Sequence, residues 1–407
     1  MKIFQIALGI LAAIGGFVDI GDLVFNVAAG AAFGYQLLWV VVVGVVGIIV
    51  YSEMCGRVAA VSEKAVFDAV RERVGFGAGL TTLIAAQVVN LMTLAAEVGG
   101  VAICLRLLSG LPYRWLILAA IVALGLIVWV VSFDWIERIF GYGGLCLLVF
   151  AVAAVKLHPD WGDVAHGFVP HVDTSDTLLY CYFAVGLLGA AMTPYEVYFY
   201  SSGAIEEEWG PKDLGINRAN ALIGYGLGGF LSFALMITGG ALFLGQEIEP
   251  ELLGSIAMGA QVPLGQVGLV LALIGILFAV GGASIDTLFS GAYNLAQFMG
   301  WEWGRYRSNA GAPRFTLTWL VLLVLALGIV MTGIDPVMLT EYAVIFSVVA
   351  LPLTYLPILL VANDKAYMGR YANGRLANVL GATYFVIILA VSLSAIPLMI
   401  LTNVGQS

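Results

Sequence analysis

The sequence predicts an all-α polytopic membrane protein, and three observations carry that reading. Of 407 residues, 61% are apolar, 11% are charged and 50 are Gly, against about 25% charge and about 7% Gly in ordinary soluble chains. The mean hydropathy is +1.01. Runs such as 37–50 and 317–330 are apolar on every face, which excludes an outer-membrane barrel with its alternating strands. The lipid bilayer is therefore the chain's environment. The formal charge of −9 comes without any basic stripe, which argues against nucleic acid as a partner.

A helical span needs about 20 mostly apolar residues. Hydropathy places eleven, at 4–32, 36–56, 79–105, 114–133, 137–157, 177–203, 219–245, 264–298, 315–333, 338–362 and 378–403. Lys2 followed by the apolar stretch 3–17 has the outline of a signal peptide. Asp19 and Asp22 stand where a small-residue cleavage site belongs, however, and the apolar character resumes after them, so the segment reads as a retained first span. With the N-terminus inside, every basic residue of the 17 except Arg106, Arg114 and Lys156 falls on the cytoplasmic side. The positive-inside rule then gives a multi-pass protein of the cell (inner) membrane, N-terminus cytoplasmic and C-terminus extracytoplasmic.

Between spans two and three, SEKAVFDAVRERVG at 62–75 reads as an amphipathic cytoplasmic helix with Ser62 as its N-cap. The longest external loop, 158–176, holds all three histidines, His158, His166 and His171, with Asp160, Asp163 and Asp173. Lacking a metal-ligand spacing such as HxxxH, it reads as a solvated loop rather than a cation-collecting entrance. Cys55, Cys104, Cys146 and Cys181 show no CxxC spacing and read as small packing residues.

A carboxylate within a bilayer is costly and marks a functional site by default. In GGFVDIGDLVFN, glycines 15, 16 and 21 loosen span one around Asp19 and Asp22. On a continuous helix the two acids, three apart, face one way and repel. A cation between them, or protonation of one, relieves that repulsion. The alternative is that one acid caps a half-helix and the other pairs with a distant base or hydroxyl. In span six, Pro194 removes a donor and disfavours helix at Thr193, which breaks the helix and frees carbonyls of 190–193. Glu196 then falls in the first turn after the break, lining a pathway or capping the helix. Paired interruptions in spans one and six point to the midplane site of an inverted-repeat transporter. Glu97 in span three and Asp286 in span eight are further acids, for transport or for helix contacts. GYGLGG at 224–229 lacks the strand and lysine of a P-loop and reads as close helix packing.

DIGD at 19–22 resembles the DPGN signature of the Nramp divalent-metal transporters, and MTPYEVYFYSS at 192–202 is similar to their MPHNLYLHS segment. Further matches are SEKAVFDAVRERVG at 62–75, AAEVGG at 95–100, GGASIDTLFSGAYNLAQFMG at 281–300 and YMGRYANGRLANVLG at 367–381. The resemblance implies a LeuT-type 5+5 inverted repeat with an eleventh transmembrane helix. Its parts are a first five-helix repeat at 1–157, an extracellular loop at 158–176, a second repeat at 177–362, and a cytoplasmic linker with the eleventh helix at 363–407. It also implies a metal site made by Asp19, Asp22, the Ala190 carbonyl and Thr193. Glu97, Tyr195, Glu196, Tyr200 and Asp286 are implied pathway or coupling residues.

The sequence departs from the family pattern at several of these positions. Ile20 replaces the proline, Asp22 the asparagine ligand, Thr193 the methionine ligand, and Ala350 a glutamine of span ten. Tyr195 and Tyr200 replace two histidines, and Leu94 replaces an aspartate ahead of Glu97. Hydroxyl and carboxylate in place of sulfur and amide make a harder site, suited to Mg²⁺, Mn²⁺ or Ca²⁺. The expectation is alternating-access transport of a hard divalent cation, Mg²⁺ or Mn²⁺ with Ca²⁺ as a further candidate. Coupling to protons should be weak or absent, as in a branch similar to the Nramp-related magnesium transporters. The alternative is an organic cation or amine held by the same acids with Tyr195, Tyr198 and Tyr200, and a non-transporting sensor on the same fold is a third reading. No nucleophile–base pair or cofactor motif supports an enzyme. No cofactor is expected, and the chain is expected to be monomeric or weakly oligomeric.

Overall fold

The computed structural model describes residues 18–174, 176–246 and 253–405, which contain helices and connections and no strand. The helices are α1 (Ile20–Phe33), α2 (Leu38–Ser62), α3 (Val66–Val74), α4 (Phe76–Ser109), α5 (Tyr113–Val130) and α6 (Phe133–Lys156). There follow α7 (Trp161–His166), α8 (Thr177–Ala191), α9 (Pro194–Glu206), α10 (Leu214–Phe243), α11 (Leu253–Met299), α12 (Pro313–Met331), α13 (Pro336–Asn363), α14 (Lys365–Met368) and α15 (Arg375–Leu401). With α8 and α9 taken as one interrupted span, ten are long and apolar enough to cross a membrane. The 14-residue α1 is the second half of span one; the first half, with Lys2, Gly15 and Gly16, lies outside the described residues.

Burial sorts these helices into an inner set and an outer ring. The most apolar window of α4 is 72% buried by protein, whereas that of α15 is 17% and that of α5 is 22%. Exposed side chains such as Leu376, Leu393 and Trp115 on the outer helices therefore face hydrocarbon, where apolar surface belongs. Two apolar cores form inside, and α1 separates them. Ile20, Leu23, Val24 and Val27 pack into the one shared by α4, α6, α10 and α11. Phe25, Ala28, Ala29 and Phe33 pack into the one shared by α2, α8 and α13.

Contact between α1 and α10 is backbone to backbone. A Cβ on Gly30 would lie 2.7 Å from the Gly240 nitrogen, and one on Gly239 would lie 3.0 Å from the Val27 Cα. Small residues allow this approach, which is how membrane helices gain packing energy where the hydrophobic effect between them is absent. In α11, Gly265 adopts φ 65° two residues after Pro263. The resulting kink starts the eighth span at about the position hydropathy gave.

The expected cap at Ser62 is corrected. Ser62 closes α2, its hydroxyl donating to the Val58 carbonyl at 2.7 Å. Helix α3 begins at Val66 after Ala65, which has no side chain to cap it. The Val66 N–H instead donates to the Ser201 hydroxyl of α9 at 2.9 Å. A neighbouring span thus satisfies the orphan donor that a local cap would have taken, tying α3 to the second half of span six.

The loop 300–312 is anchored by Arg305, whose side chain is 2% exposed. Its guanidinium lies 3.2 Å from Glu206 of α9 and 3.8 Å from Glu137 of α6, over the Phe133 ring at 3.9 Å. Burial opposes the charge, but those two carboxylates outweigh it and hold the group above its ordinary value. The Arg305 amide also donates to Glu206 at 2.5 Å, and the Tyr293 hydroxyl donates to it at 2.6 Å.

Two outcomes are expected. Gly30→Ala should destabilise the detergent-solubilised protein by about 1–3 kcal/mol, because backbone on α10 cannot yield. Gly226→Ala, where a Cβ meets open space, should be neutral or up to about 1 kcal/mol stabilising; thermal unfolding distinguishes them. The second concerns Asp68 on α3, whose carboxyl burial pushes up to about 6, partly offset by Arg71. A carboxyl that binds its proton more tightly when folded favours the folded state at low pH, and this contribution is lost as pH rises from about 4 through about 6. Amide exchange in α3, corrected for intrinsic rate, should therefore be several-fold slower at about pH 5 than at about pH 7.5. Asp68→Asn should flatten that difference.

Candidate metal centre

Span one is not helical through its acids. Val18 bends, Asp19 is extended with φ −87° and ψ −177°, and α1 starts at Ile20. Helix α1 starts here without the family's proline because Asp19 caps it. One carboxylate oxygen accepts from the Asp22 N–H at 3.0 Å, capping the half-helix. Span six breaks in the corresponding place: Met192 and Thr193 are non-helical, and α9 restarts at Pro194 with Thr193 as N-cap. Pro at the first helical position lacks only a donor that would have been orphaned anyway. The Thr193 hydroxyl donates to Glu196 Oε1 at 2.9 Å.

The two breaks meet. Asp19, Ile20, Gly21 and Thr193 line a small, mostly apolar-walled cavity together with Thr93 and Ala96 of α4 and Thr340, Ala343, Val344 and Ser347 of α13. It has room for about one water-sized sphere. Ala190 packs beside Gly21, where a Cβ would meet Val344 at 2.9 Å, Asp19 Oδ1 at 3.0 Å and the Ala190 Cβ at 3.7 Å. Glycine at 21 is thus what lets α13 close over the cap. The second oxygen of Asp19 accepts from the Tyr195 hydroxyl at 3.4 Å.

Asp22 behaves differently from the expectation that the two acids face one way. Because Asp19 is the cap and not a helical residue, their side chains diverge. Asp22 points to α10, where the Ser232 hydroxyl lies 3.5 Å away, and Asn26 donates to the Asp22 carbonyl at 2.8 Å. The arrangement of one cap and one hydroxyl partner is the alternative left open by the sequence. Among the described residues no ion pair joins Asp19, Asp22, Glu97 or Glu196 to a lysine or arginine. All four are buried, so no lysine or arginine side chain offsets a negative charge on any of them when it ionises.

The remaining candidates surround this centre without entering the cavity. Glu97 takes a bond from the Thr287 hydroxyl at 3.3 Å and keeps one oxygen without a partner. Asp286 is half-buried beside Thr287, within electrostatic reach of Glu97, Glu137 and Arg305. Tyr200 is two turns from the break, donating to Asn217 at 2.9 Å, and Tyr198 packs on Phe67 with centroids 4.6 Å apart. The three tyrosines do not form an aromatic cage. Ala350 is buried but does not line the cavity. The cavity face of α13 lies a turn earlier, and Thr93, Thr340 and Ser347 were missed by sequence reasoning. The signal for the last two was the helical spacing of Thr340, Val344 and Ser347 on one face.

No group of three or more His, Cys, Asp or Glu side chains converges among the described residues. A cation here would be held by one carboxylate, hydroxyls and backbone carbonyls. The nearby thioether of Met192 lies beside Gly47 of α2, so the lining offers oxygen and no sulfur.

Comparison with known proteins places these features in context. Residues 9–397 match the family described as "Nramp: Natural resistance-associated macrophage protein-like". The divalent metal cation transporter MntH of Deinococcus radiodurans is 25% identical over 389 residues, spanning 92% of this chain and 86% of that protein. MntH of Latilactobacillus sakei is also 25% identical, over 90% of this chain and 82% of its own. The crystal structure of the Eremococcus coleocola manganese transporter, in complex with an aromatic bis-isothiourea compound, superimposes with a TM-score of 0.78 at 19% identity. That match covers 98% of this chain and 93% of the other. Mhp1, a nucleobase-cation-symport-1 family transporter in a closed conformation, gives 0.61 at 16% identity, covering 98% and 92%. The fold is that of these proteins, the LeuT-type 5+5 inverted repeat with an eleventh helix.

Thr193→Ala should cost about 1–3 kcal/mol of stability, since it strips a donor from the buried Glu196 carboxylate. Thr193→Ser should keep most of it. Thermal unfolding of the two variants checks the assignment of the hydroxyl as the Glu196 partner.

Proposed function

The chain belongs to the Nramp family, and on that premise we propose that it carries a divalent metal cation, Mn²⁺ first, across the membrane by alternating access. Members of this family are multi-pass membrane transporters rather than enzymes, and they use no cofactor; the metal is cargo. The observation that carries the reading is the meeting of the start of α1 and the break in span six at one small cavity that holds the Asp19 carboxyl and the hydroxyls of Thr93, Thr193, Thr340 and Ser347. Asp19, Thr193 and the Ala190 carbonyl are assigned as ligands, with Thr93, Thr340 and Ser347 in the lining. Asp22 adds its charge from behind the cap, and Glu97, Glu196 and Asp286 tune the field around it.

Metal choice follows from donor chemistry and space. The polar side chains at the cavity, one carboxylate and four hydroxyls, offer only oxygen and suit Mn²⁺, Mg²⁺ or Ca²⁺ rather than softer ions. Mg²⁺ dehydrates reluctantly and usually keeps several waters, for which a cavity of about one water sphere leaves no room. That favours Mn²⁺ over Mg²⁺, and it disfavours an organic amine. Proton coupling is assigned as weak or absent: the hydroxyl beside Asp19 belongs to Tyr195, and a phenol, which ordinarily titrates near 10, is a poor proton carrier at neutral pH. In this reading 1–157 and 177–362 are the two repeats, the N-terminus is cytoplasmic, the C-terminus is extracytoplasmic, and the transporter is monomeric or weakly oligomeric.

Reconstitution into liposomes tests the proposal. Saturable Mn²⁺ influx is expected, exceeding Mg²⁺ influx, abolished by Asp19→Ala and accompanied by little change of internal pH. Absence of any divalent flux overturns the transport reading. Mg²⁺ flux equal to that of Mn²⁺ overturns the metal assignment, and acidification in step with influx overturns the uncoupled one.

A further inference from the structure

On the face of the protein opposite α3, the connection between α6 and α8 brings together two histidines that their spacing does not pair. Helix α7 ends at His166, and the chain turns back as the Val169 N–H donates to the His166 carbonyl at 2.9 Å. The rings of His166 and His171 come to lie with centroids 4.4 Å apart at 57°. This segment is fastened on both sides of the turn. The Trp39 amide donates to the Gly167 carbonyl at 3.0 Å, and the Tyr180 hydroxyl donates to the His171 carbonyl at 2.8 Å. Gln36 and Asp173 exchange two hydrogen bonds at 3.2 and 3.3 Å, and Phe168 packs on Phe233 of α10 at 5.2 Å.

The chemistry of the pair is specific. His171 Nδ1 lies 2.7 Å from the Val169 carbonyl, which can only accept, so Nδ1 carries the proton and Nε2 keeps its lone pair. A backbone carbonyl fixing the tautomer in this way is the usual setting of a metal-ligating histidine. A metal about 2.0–2.1 Å from two ring nitrogens separates their centroids by roughly 4.5 Å when the two bonds meet at a right angle and roughly 5.2 Å at the tetrahedral angle; the 4.4 Å found lies near the first and needs a small opening of the pair for the second. Residues 158–176 also contain Asp160, Asp163, Asp173 and Asp176 and no lysine or arginine, so the local field gathers cations.

We propose that His166 and His171 form a two-nitrogen docking site for a borderline transition-metal dication of the Zn²⁺, Ni²⁺ or Cu²⁺ class, separate from the transport site, with water completing the shell. Imidazole donors favour these ions over Mn²⁺ and exclude Mg²⁺ and Ca²⁺ as competitors. Because His171 lies six residues before α8, a bound metal also staples α7 to the segment that leads into the interrupted span. Tag-free protein titrated calorimetrically with NiCl₂ provides the test, with Mn²⁺ transport as the control for folding. One equivalent of Ni²⁺ is expected in wild type and in Asp19→Ala. Its affinity should fall about 10-fold or more in His166→Ala or His171→Ala, and the equivalent should vanish in the double variant. Undiminished Ni²⁺ binding by the double variant, or no binding by wild type, overturns the proposal and leaves the rings as a stacked pair only. Mn²⁺ binding as tight as Ni²⁺ at the same residues overturns the assigned metal class.

Discussion

Backbone polar groups in the middle of a bilayer have no water to turn to, and this constraint governs the protein. A helix broken at that depth leaves N–H and C=O groups that only protein can satisfy, at several kcal/mol for each one left bare. Here both breaks are resolved by the side chain at the break itself or by a proline in the next position. Asp19 caps α1 with one oxygen, Pro194 removes a donor at the start of α9, and the Tyr355 hydroxyl donates to the freed Met192 carbonyl at 3.1 Å. The site is thus built from the repair of the helix breaks.

That repair has an electrostatic consequence. A carboxylate used as a cap brings its charge into the core, and the neighbouring acids add to it without a basic partner. Such an arrangement is unfavourable when empty and favourable when a dication enters, which is the requirement on a transport site. Replacement of the family's sulfur ligand by Thr193 shifts the balance further toward hard ions.

Helix α9 is held at both ends and along its length by distant parts of the chain. Helix α9 connects at its start to the cavity, along its length through Ser201 to α3, and at its end to Arg305 through Glu206. Arg305 gathers α6, α9 and the loop before α12 around one buried cation. Breaking a buried pair of this kind by removing one partner costs several kcal/mol, so closure at this end depends on few residues. On the opposite face the histidine-bearing segment packs on α2, α8 and α10, so both ends of the interrupted span are clasped by loops.

The sequence by itself determined the fold class, the order of the described spans and the break in span six at Thr193 and Pro194, and it singled out Asp19, which caps α1. These were legible because hydropathy, proline and intramembrane charge act through local physics: the cost of burying a polar group does not depend on which helix lies alongside. The family pattern carried the repeat architecture that composition could not. Only the tertiary structure decided which way each acid faces. Asp22 turns to Ser232, 210 positions away, and no local rule anticipates that partner. The same holds for the cap of α3, which comes from Ser201 instead of Ser62, and for Thr93, Thr340 and Ser347 at the cavity. Hydroxyls in membrane helices bond readily to their own backbone, so sequence alone does not distinguish a pathway residue from a self-satisfied one until helix packing sets its neighbours.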